Sequence, residues 1–258
     1  MKRILVWDIP TRLFHWLLAG SFLAAFAFAN FADDDSLAFA AHMLLGGAIL
    51  FMVVWRVIWG FVGSRYSRFR TFAFRPGEVL AYFKGALSGK GKKHVGHNPG
   101  SAVAIFTMLG LLVGLALTGA FMSSGGDVLE EIHEVLAWAM MGVVGLHVAG
   151  VLWHTLRHRE NITLSMFTGK KAGEPEAAIP SARPIAAIVF LALTGLWTGA
   201  LYTGYDAATS QVTLPVIGAT LRLGDGDDHG HDEHERRERD KHDEHDERDE
   251  HGRDQNPR

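Results

Sequence analysis

The sequence of 258 residues contains no cysteine. This absence excludes disulfide bonds, thiolate metal sites, cysteine-ligated iron–sulfur clusters, and haem attached covalently through a Cys-Xaa-Xaa-Cys-His motif. Any haem in this protein must therefore be held non-covalently. Histidine, with 14 residues, is the most abundant candidate for an axial ligand of the haem iron.

Apolar residues make up 48% of the chain, and they are clustered in long runs rather than spread at the spacing of a soluble fold. A helix needs about 20 apolar residues to cross the hydrocarbon core of a bilayer. Five runs reach this length, which predicts an all-α integral membrane protein. The predicted spans are approximately 13–32, 39–61, 101–122, 132–154 and 185–204.

Lysine and arginine are absent from the connections after the first and third spans, which carry acidic residues instead. The N-terminal segment, the second connection (about 64–100) and the fourth connection are rich in both. Cytoplasmic loops carry an excess of Lys and Arg, so this alternation predicts a cytoplasmic N-terminus and a C-terminal tail on the opposite face. A cleaved signal peptide is the alternative, although residues 7–12 interrupt its basic start and apolar core.

Apolar residues are almost absent from residue 225 onward, where 15 acidic and seven basic residues give a net charge of −8. Such a segment cannot bury enough surface to offset its ordering entropy. The sequence predicts that 207–258 lie outside the membrane and include a disordered charged tail. Its six histidines could bind Zn, Ni or Cu weakly: His229, His231, His234, His242, His245 and His251.

Apart from His154 at the very end of span four, four histidines fall inside the predicted spans, where ionisable residues are costly and face the interior of the bundle. His133 and His147 are 14 residues apart on span four, so they lie about 21 Å apart along the helix and about 40° apart around it. The directions of the spans place His15 at the depth of His147 and His42 at the depth of His133. Two pairs are therefore predicted, and each could clamp one iron between facing helices.

Three alternatives stay open at this level. Each lone histidine could be an ordinary hydrogen-bonded residue near the membrane surface. His154 lies seven residues after His147 on nearly the same helix face, so it could replace His147 as a ligand. Arg56 lies 14 residues after His42, where it could either neutralise a haem propionate or extend to the interface as a snorkelling arginine.

Two local patterns concern the connections and the last span. Residues 97–100 (His-Asn-Pro-Gly) predict a turn in the polar loop that also holds His94, with Ser101 as the cap of span three. The spaced pair Gly195 and Gly199 on span five could dock against the other spans or against a second subunit.

The same residues carry a resemblance to a known family. The chain resembles the bacterial di-haem cytochrome b561 family, which includes the b-type membrane subunits of nickel–iron hydrogenases. The resemblance covers about 1–171, and its matching stretches are 7–16 (WDIPTRLFHW), 55–63 (WRVIWGFVG), 96–99 (GHNP), 133–134 (HE) and 146–147 (LH).

The resemblance implies a four-helix transmembrane di-haem bundle over residues 1–171. It implies two haem b groups, with the axial ligands His15, His42, His133 and His147. Residues 172–206 then form a linker and a fifth transmembrane helix that the four-helix core does not need, followed by the tail.

The resemblance also implies transmembrane electron transfer in a bacterial inner membrane. A quinone is expected at one haem, and a periplasmic c-type cytochrome or other redox protein at the other. Two alternatives are a superoxide:quinone oxidoreductase and a metal-ion transporter with a His-rich collecting tail. A homodimer stays open, and no nucleic-acid partner is expected.

Overall fold

The computed structural model describes residues 2–31, 37–88, 94–159, 161–206, 209, 211–213, 218 and 220–222. Its helices are α1 (Ile9–Phe31), α2 (Leu37–Val62), α3 (Pro76–Leu87), α4 (Pro99–His158), α5 (Ile162–Thr168) and α6 (Pro184–Thr203). Its strands are β1 (Lys2–Leu5), β2 (Lys170–Gly173), β3 (Tyr205–Asp206), β4 (Gln211–Thr213) and β5 (Thr220–Arg222).

The prediction of five spans is confirmed in length and composition. The segments long and apolar enough to cross a membrane are Ile9–Phe31, Ala40–Val62, Pro99–Met122, Gly125–Arg157 and Pro184–Thr203.

The third and fourth spans belong to α4, which is interrupted at Gly126, where φ is 51° and ψ is −152°. Glycine adopts a positive φ without steric cost, so this residue permits a sharp reversal. An added Cβ at Gly114 would meet Leu136 at 3.0 Å, and one at Gly119 would meet His133 at 3.4 Å. These contacts show that the two halves of α4 run antiparallel.

The core of the bundle lies where α2 contacts α1, α4 and α6. Without a hydrophobic driving force between helices in lipid, close side-chain packing holds such spans together. The buried side chains of this core are Phe14, Phe22, Ala25, Ile49, Met52, Val53, Leu112, Met140 and Phe190.

Helix α6 docks against α2, and its glycine pair does not take part. Trp197 Nε1 donates to the Gly47 carbonyl at 3.0 Å, and Leu201 occupies the space where a Cβ on Gly47 would lie, at 2.7 Å. An added Cβ at Gly195 or Gly199 would meet no atom of the described residues within 4 Å. The two glycines therefore lie on the face of α6 that points away from α2.

The two ends of the bundle differ in charge. We call the end formed by β1, α3, α5 and β2 the basic end. The opposite end holds the turn at Gly126 and the exposed residues Asp127, Glu130 and Glu131, and we call it the acidic end.

The mostly helical chain also forms short strands near both ends of its described part. β1 pairs with β2 in antiparallel register, from Lys2 opposite Gly173 to Leu5 opposite Lys170. This pairing places the N-terminus against the segment that follows the fourth span.

The strands β3, β4 and β5 form a second small antiparallel sheet after α6. The strands β4 and β5 therefore lie within the segment 207–258, ahead of residue 225, where the predicted disordered tail begins. Val212 is 3% exposed, and β-branched residues such as Val and Thr favour strands. The tail from 223 onward, with its six histidines, lies outside the described residues.

Candidate functional site

His42 on α2 and His133 on the second half of α4 face each other toward the acidic end. Their ring centroids are 6.2 Å apart and their planes lie at 76°. An imidazole nitrogen binds a metal at about 2.0 Å, so two rings on opposite sides of one ion have centroids about 6 Å apart. The spacing of this pair therefore fits one metal ion between the two rings.

Hydrogen bonds fix which nitrogen of each ring could bind a metal. His42 Nδ1 lies 2.8 Å from the Ala25 carbonyl, which can only accept, so Nδ1 carries the proton. His133 Nδ1 lies 2.8 Å from Thr118 Oγ1, whose hydroxyl donates to the Gly114 carbonyl at 2.9 Å. His133 Nδ1 therefore donates as well, and both Nε2 atoms keep the lone pair that a metal needs.

The two neighbouring glycines on α2, Gly46 and Gly47, differ in how much open space lies beside them. Gly46 lies one turn after His42 on the same helix face, and an added Cβ there would meet no atom of the described residues within 4 Å. Gly47 is instead filled by Leu201 of α6. The His42 face thus has room for a flat group, while Gly47 serves helix packing.

At the basic end, the structure places His147 within electrostatic range of His15. His15 Nδ1 is buried and has no hydrogen-bond partner among the described residues, and its ring packs edge-on against Trp16 at 4.9 Å. His154 lies seven residues further along α4. The electrostatic influence of His147 on His15 is consistent with the depth argument, and the choice of His147 over His154 as the ligand stays a prediction.

The donor set restricts the kind of metal site that is possible. Within the described parts of the chain, no group of three or more His, Asp or Glu side chains could hold a metal ion. A pair of imidazoles provides two axial ligands, and a porphyrin provides the equatorial ones. The residues present therefore fit a haem better than a bare metal ion.

Arg56 is buried near the basic end of α2, with 4% of its side chain exposed. Its guanidinium lies 4.8 Å from the centroid of Phe69, and its Nη1 has no hydrogen-bond partner among the described residues. A snorkelling arginine would hold its charge in water, so the burial contradicts that alternative. A buried guanidinium of this kind needs an anion.

Asp8 is fully buried at the start of α1, a position that the sequence analysis did not single out. Its Oδ1 accepts from the Thr11 N–H at 2.8 Å, which caps the helix. Its Oδ2 accepts from Trp59 Nε1 at 3.1 Å and from Ser67 Oγ at 2.8 Å. This carboxylate therefore joins α1, α2 and the segment after α2.

The start of α4 differs from the prediction. The helix begins at Pro99 with Asn98 as its N-cap, because Asn98 Oδ1 accepts from the Ser101 N–H at 2.8 Å. Ser101 Oγ accepts in return from the Asn98 N–H at 3.0 Å, a reciprocal capping arrangement. The predicted cap at Ser101 is therefore wrong, and His97 directly precedes the true cap.

His97 is the residue that the sequence analysis placed in a polar loop and that the structure places inside the protein. Its ring lies between Trp7 and Phe72, at 4.6 Å from each centroid, and its Nε2 is buried without a partner among the described residues. Burial, and then the positive charges of Arg56 and Lys171, lower the pKa of His97 to about 3. The imidazole is therefore neutral at physiological pH.

Comparisons with known proteins identify the family of the chain. A sequence model described as prokaryotic cytochrome b561 matches residues 6–169, a range that contains all four span histidines, Arg56 and His97. No solved structure matches the chain.

Relatives include three proteins named probable Ni/Fe-hydrogenase B-type cytochrome subunit. The one from Bradyrhizobium diazoefficiens is 22% identical over 213 residues, which cover 65% of this chain and 85% of the relative. The one from Rhizobium leguminosarum bv. viciae is 23% identical over 215 residues, covering 66% and 89%. The one from Rhodobacter capsulatus is 22% identical over 217 residues, covering 65% and 81%.

The family match spans well over half of the chain and includes the first four membrane spans. It accounts for intramembrane histidines, for the absence of any covalent haem motif, and for apolar helices of spanning length. The chain belongs to the prokaryotic cytochrome b561 family, membrane proteins that carry haem b and transfer electrons.

Proposed function

We propose that this protein holds two haem b groups, one between His42 and His133 and one between His15 and His147, and moves single electrons between the two faces of the membrane. The observation that carries the proposal is the 6.2 Å spacing of the His42 and His133 rings. It is supported by the hydrogen bonds that leave both Nε2 atoms unprotonated.

Each pair of imidazoles would hold one haem, which would supply reversible one-electron oxidation and reduction. Such a site transfers electrons. The spacing of His133 and His147 along α4, about 21 Å, sets one site toward each face. The arrangement is therefore suited to conduction across the bilayer.

The distribution of basic residues supports an inner-membrane protein with the basic end in the cytoplasm and the C-terminal tail in the periplasm. The acidic end then faces the periplasm, where exposed Asp127, Glu130, Glu131 and Glu134 would attract a basic redox protein such as a c-type cytochrome. We propose quinone as the partner on the other side of the electron path. The names of the relatives make a hydrogenase a second class of partner.

Two other functions make different predictions. A superoxide:quinone oxidoreductase would need an electropositive approach to the acidic-end haem, and the carboxylates there repel an anion. A metal-ion transporter would need ligands along the spans, and the described spans offer histidines only in pairs. Neither is favoured by a specific observation.

Protein purified from cells well supplied with haem should be red. It should give a reduced-minus-oxidised spectrum of b type and contain about two haems per chain, because each of two levels provides two axial ligands. The haem is counted by the pyridine haemochrome assay against protein concentration. A colourless preparation that binds Zn or Ni through the spans would overturn the proposal in favour of a transporter.

A Thr118→Val variant should shift the midpoint potential of the acidic-end haem to a more positive value. Without the hydroxyl that accepts from His133 Nδ1, the imidazole is a weaker donor to ferric iron. Loss of such an outer partner typically costs 10–100-fold in metal affinity, so partial haem loss should accompany the shift. Optical redox titration measures both effects.

Two matched variants control this experiment. Thr118→Ser keeps the hydroxyl and should behave like the unmodified protein. Thr194→Val makes the same change at a buried hydroxyl of α6 that has no partner among the described residues, and it should leave both potentials unchanged. Equal shifts in Thr118→Val and Thr194→Val would contradict the assigned hydrogen bond.

A further inference from the structure

The basic end holds one buried carboxylate, Asp8, and one buried guanidinium, Arg56, with the partly exposed Arg12 near them. Asp8 lies within electrostatic range of both Arg12 and Arg56. Its hydrogen bonds come from Thr11, Trp59 and Ser67, so neither guanidinium is paired with it directly. Because buried charges are normally paired, the buried Arg56 guanidinium still needs an anion in direct contact with it.

His97 adds a fixed donor to the same region. Its ring and the Arg56 guanidinium lie against the same side chain, at 4.6 Å and 6.0 Å from the centroid of Phe72, and Arg56, His15 and His147 all influence it electrostatically. Trp7 and Phe72 hold its ring in place. Since the imidazole is neutral and its Nε2 has no partner among the described residues, it can donate one hydrogen bond from Nε2 without adding charge.

The start of α4 favours an anion at the same place. His97 immediately precedes the N-cap Asn98, and the N-terminus of a helix carries a partial positive charge. The helix end alone would not define a site. The guanidinium of Arg56, 4% exposed and with Nη1 unpartnered among the described residues, is the independent observation that requires an anionic partner.

We infer that His97 and Arg56 together bind a carboxylate, and that this carboxylate is a propionate of the haem held by His15 and His147. The inference rests on the proposed function, because it needs that haem. His97 is then a cofactor-positioning residue, which donates to the propionate while Arg56 neutralises its charge. If the propionate were bound by Arg56 only, His97 Nε2 would stay buried without a hydrogen-bond partner, which costs free energy.

Replacing His97 with phenylalanine keeps the aromatic packing and removes the donor. The propionate charge is then less neutralised, which favours ferric over ferrous iron, so the midpoint of the basic-end haem should become more negative. The reduction equilibrium should shift about tenfold, or about 59 mV for one electron. Arg56→Met should shift it further in the same direction, and His94→Phe, in the same loop, should shift neither haem.

Making His97→Phe in the His15→Ala variant shows which haem changes its midpoint potential. In His15→Ala, only the acidic-end haem should remain, and adding His97→Phe should leave its midpoint unchanged. If His97→Phe moves the acidic-end midpoint, or moves neither midpoint while two haems are bound, the inference is wrong. A chain without haem would instead refute the proposed function, so the two failures are distinguishable.

Free phosphate and anionic lipid headgroups are the other sources of a suitable anion. The redox titration is therefore repeated in neutral-lipid vesicles, with and without added phosphate or anionic lipid. A propionate site should give the same His97→Phe shift in all of them. A shift that requires the added anion would overturn the assignment. If thermal unfolding shows that His97→Phe is not folded, the same redox titrations are made with His97→Leu.

Discussion

Replacing His42 with alanine should lower the haem content from about two to about one per chain, and His133→Ala should produce the same loss. The two rings face each other at 6.2 Å, so removing either leaves the iron with one axial ligand and an empty space on the other side. The pyridine haemochrome assay gives the count. Redox titration should then show a single component.

The decisive result is that the haem losses caused by replacing the two histidines of one pair should not be additive. Residues that hold one group act as a unit, so the double variant His42→Ala/His133→Ala should lose no more haem than either single variant. Combining His42→Ala with His15→Ala should remove both haems, because these residues belong to different levels. Loss of both haems in His42→Ala/His133→Ala would contradict the proposed pairing.

The basic-end pair is tested in the same way, with His154 as an internal control. His15→Ala and His147→Ala should each remove the same haem, identified by its potential. His154→Ala should retain both, because the structure places His147 within range of His15. If His154→Ala loses the haem and His147→Ala keeps it, the ligand is His154, seven residues further along α4.

The spans could be predicted because their length is a local property of the sequence. The apolar run at 185–204, for example, coincides closely with Pro184–Thr203. Relative depth follows from the same lengths, since span direction alternates. This is why the proximity of His42 to His133 could be predicted without knowing any contact, while their binding of haem stays a prediction.

The buried polar residues of the basic end could not be predicted in this way. Asp8 meets Trp59, 51 residues away, and Trp7 Nε1 donates to Ser165 Oγ, 158 residues away. Nothing in the local pattern around 7–12 indicates such partners. His97 was assigned to a polar turn for the same reason, because the rings that enclose it come from distant segments.

The docking of α6 shows a related limit. The Gly195 and Gly199 pair is the most visible small-residue pattern on that helix, yet Trp197 and Leu201 make the contact with α2. Residue 197 lies about 200° around the helix from either glycine, so the two faces are on nearly opposite sides of α6. The length and apolar composition of the helix do not decide which of these faces contacts α2. Only the complementary shape at Gly47 selects between them.

The buried carboxylate of Asp8 should be the largest single contributor to the stability of the basic end. In Asp8→Asn, an NH₂ group replaces one of the two accepting oxygens and meets another hydrogen-bond donor in either orientation of the side chain. It faces Trp59 Nε1 and Ser67 Oγ in one orientation, and the Thr11 N–H in the other. The variant also removes the negative charge near Arg12 and Arg56. Leaving a buried hydrogen-bonding group without its partner costs about 1–3 kcal/mol, and more where a charged group is involved.

Asp8→Asn should therefore unfold at a clearly lower temperature than the unmodified protein in the same detergent, as followed by circular dichroism. Asp127→Asn, the same change at an exposed position of the acidic end, should leave the unfolding temperature unchanged. Because Asp8 joins α1 to α2 close to His15, the basic-end haem should be released first on heating. Unfolding of Asp8→Asn and Asp127→Asn at the same temperature would mean that the carboxylate network does not hold these helices together.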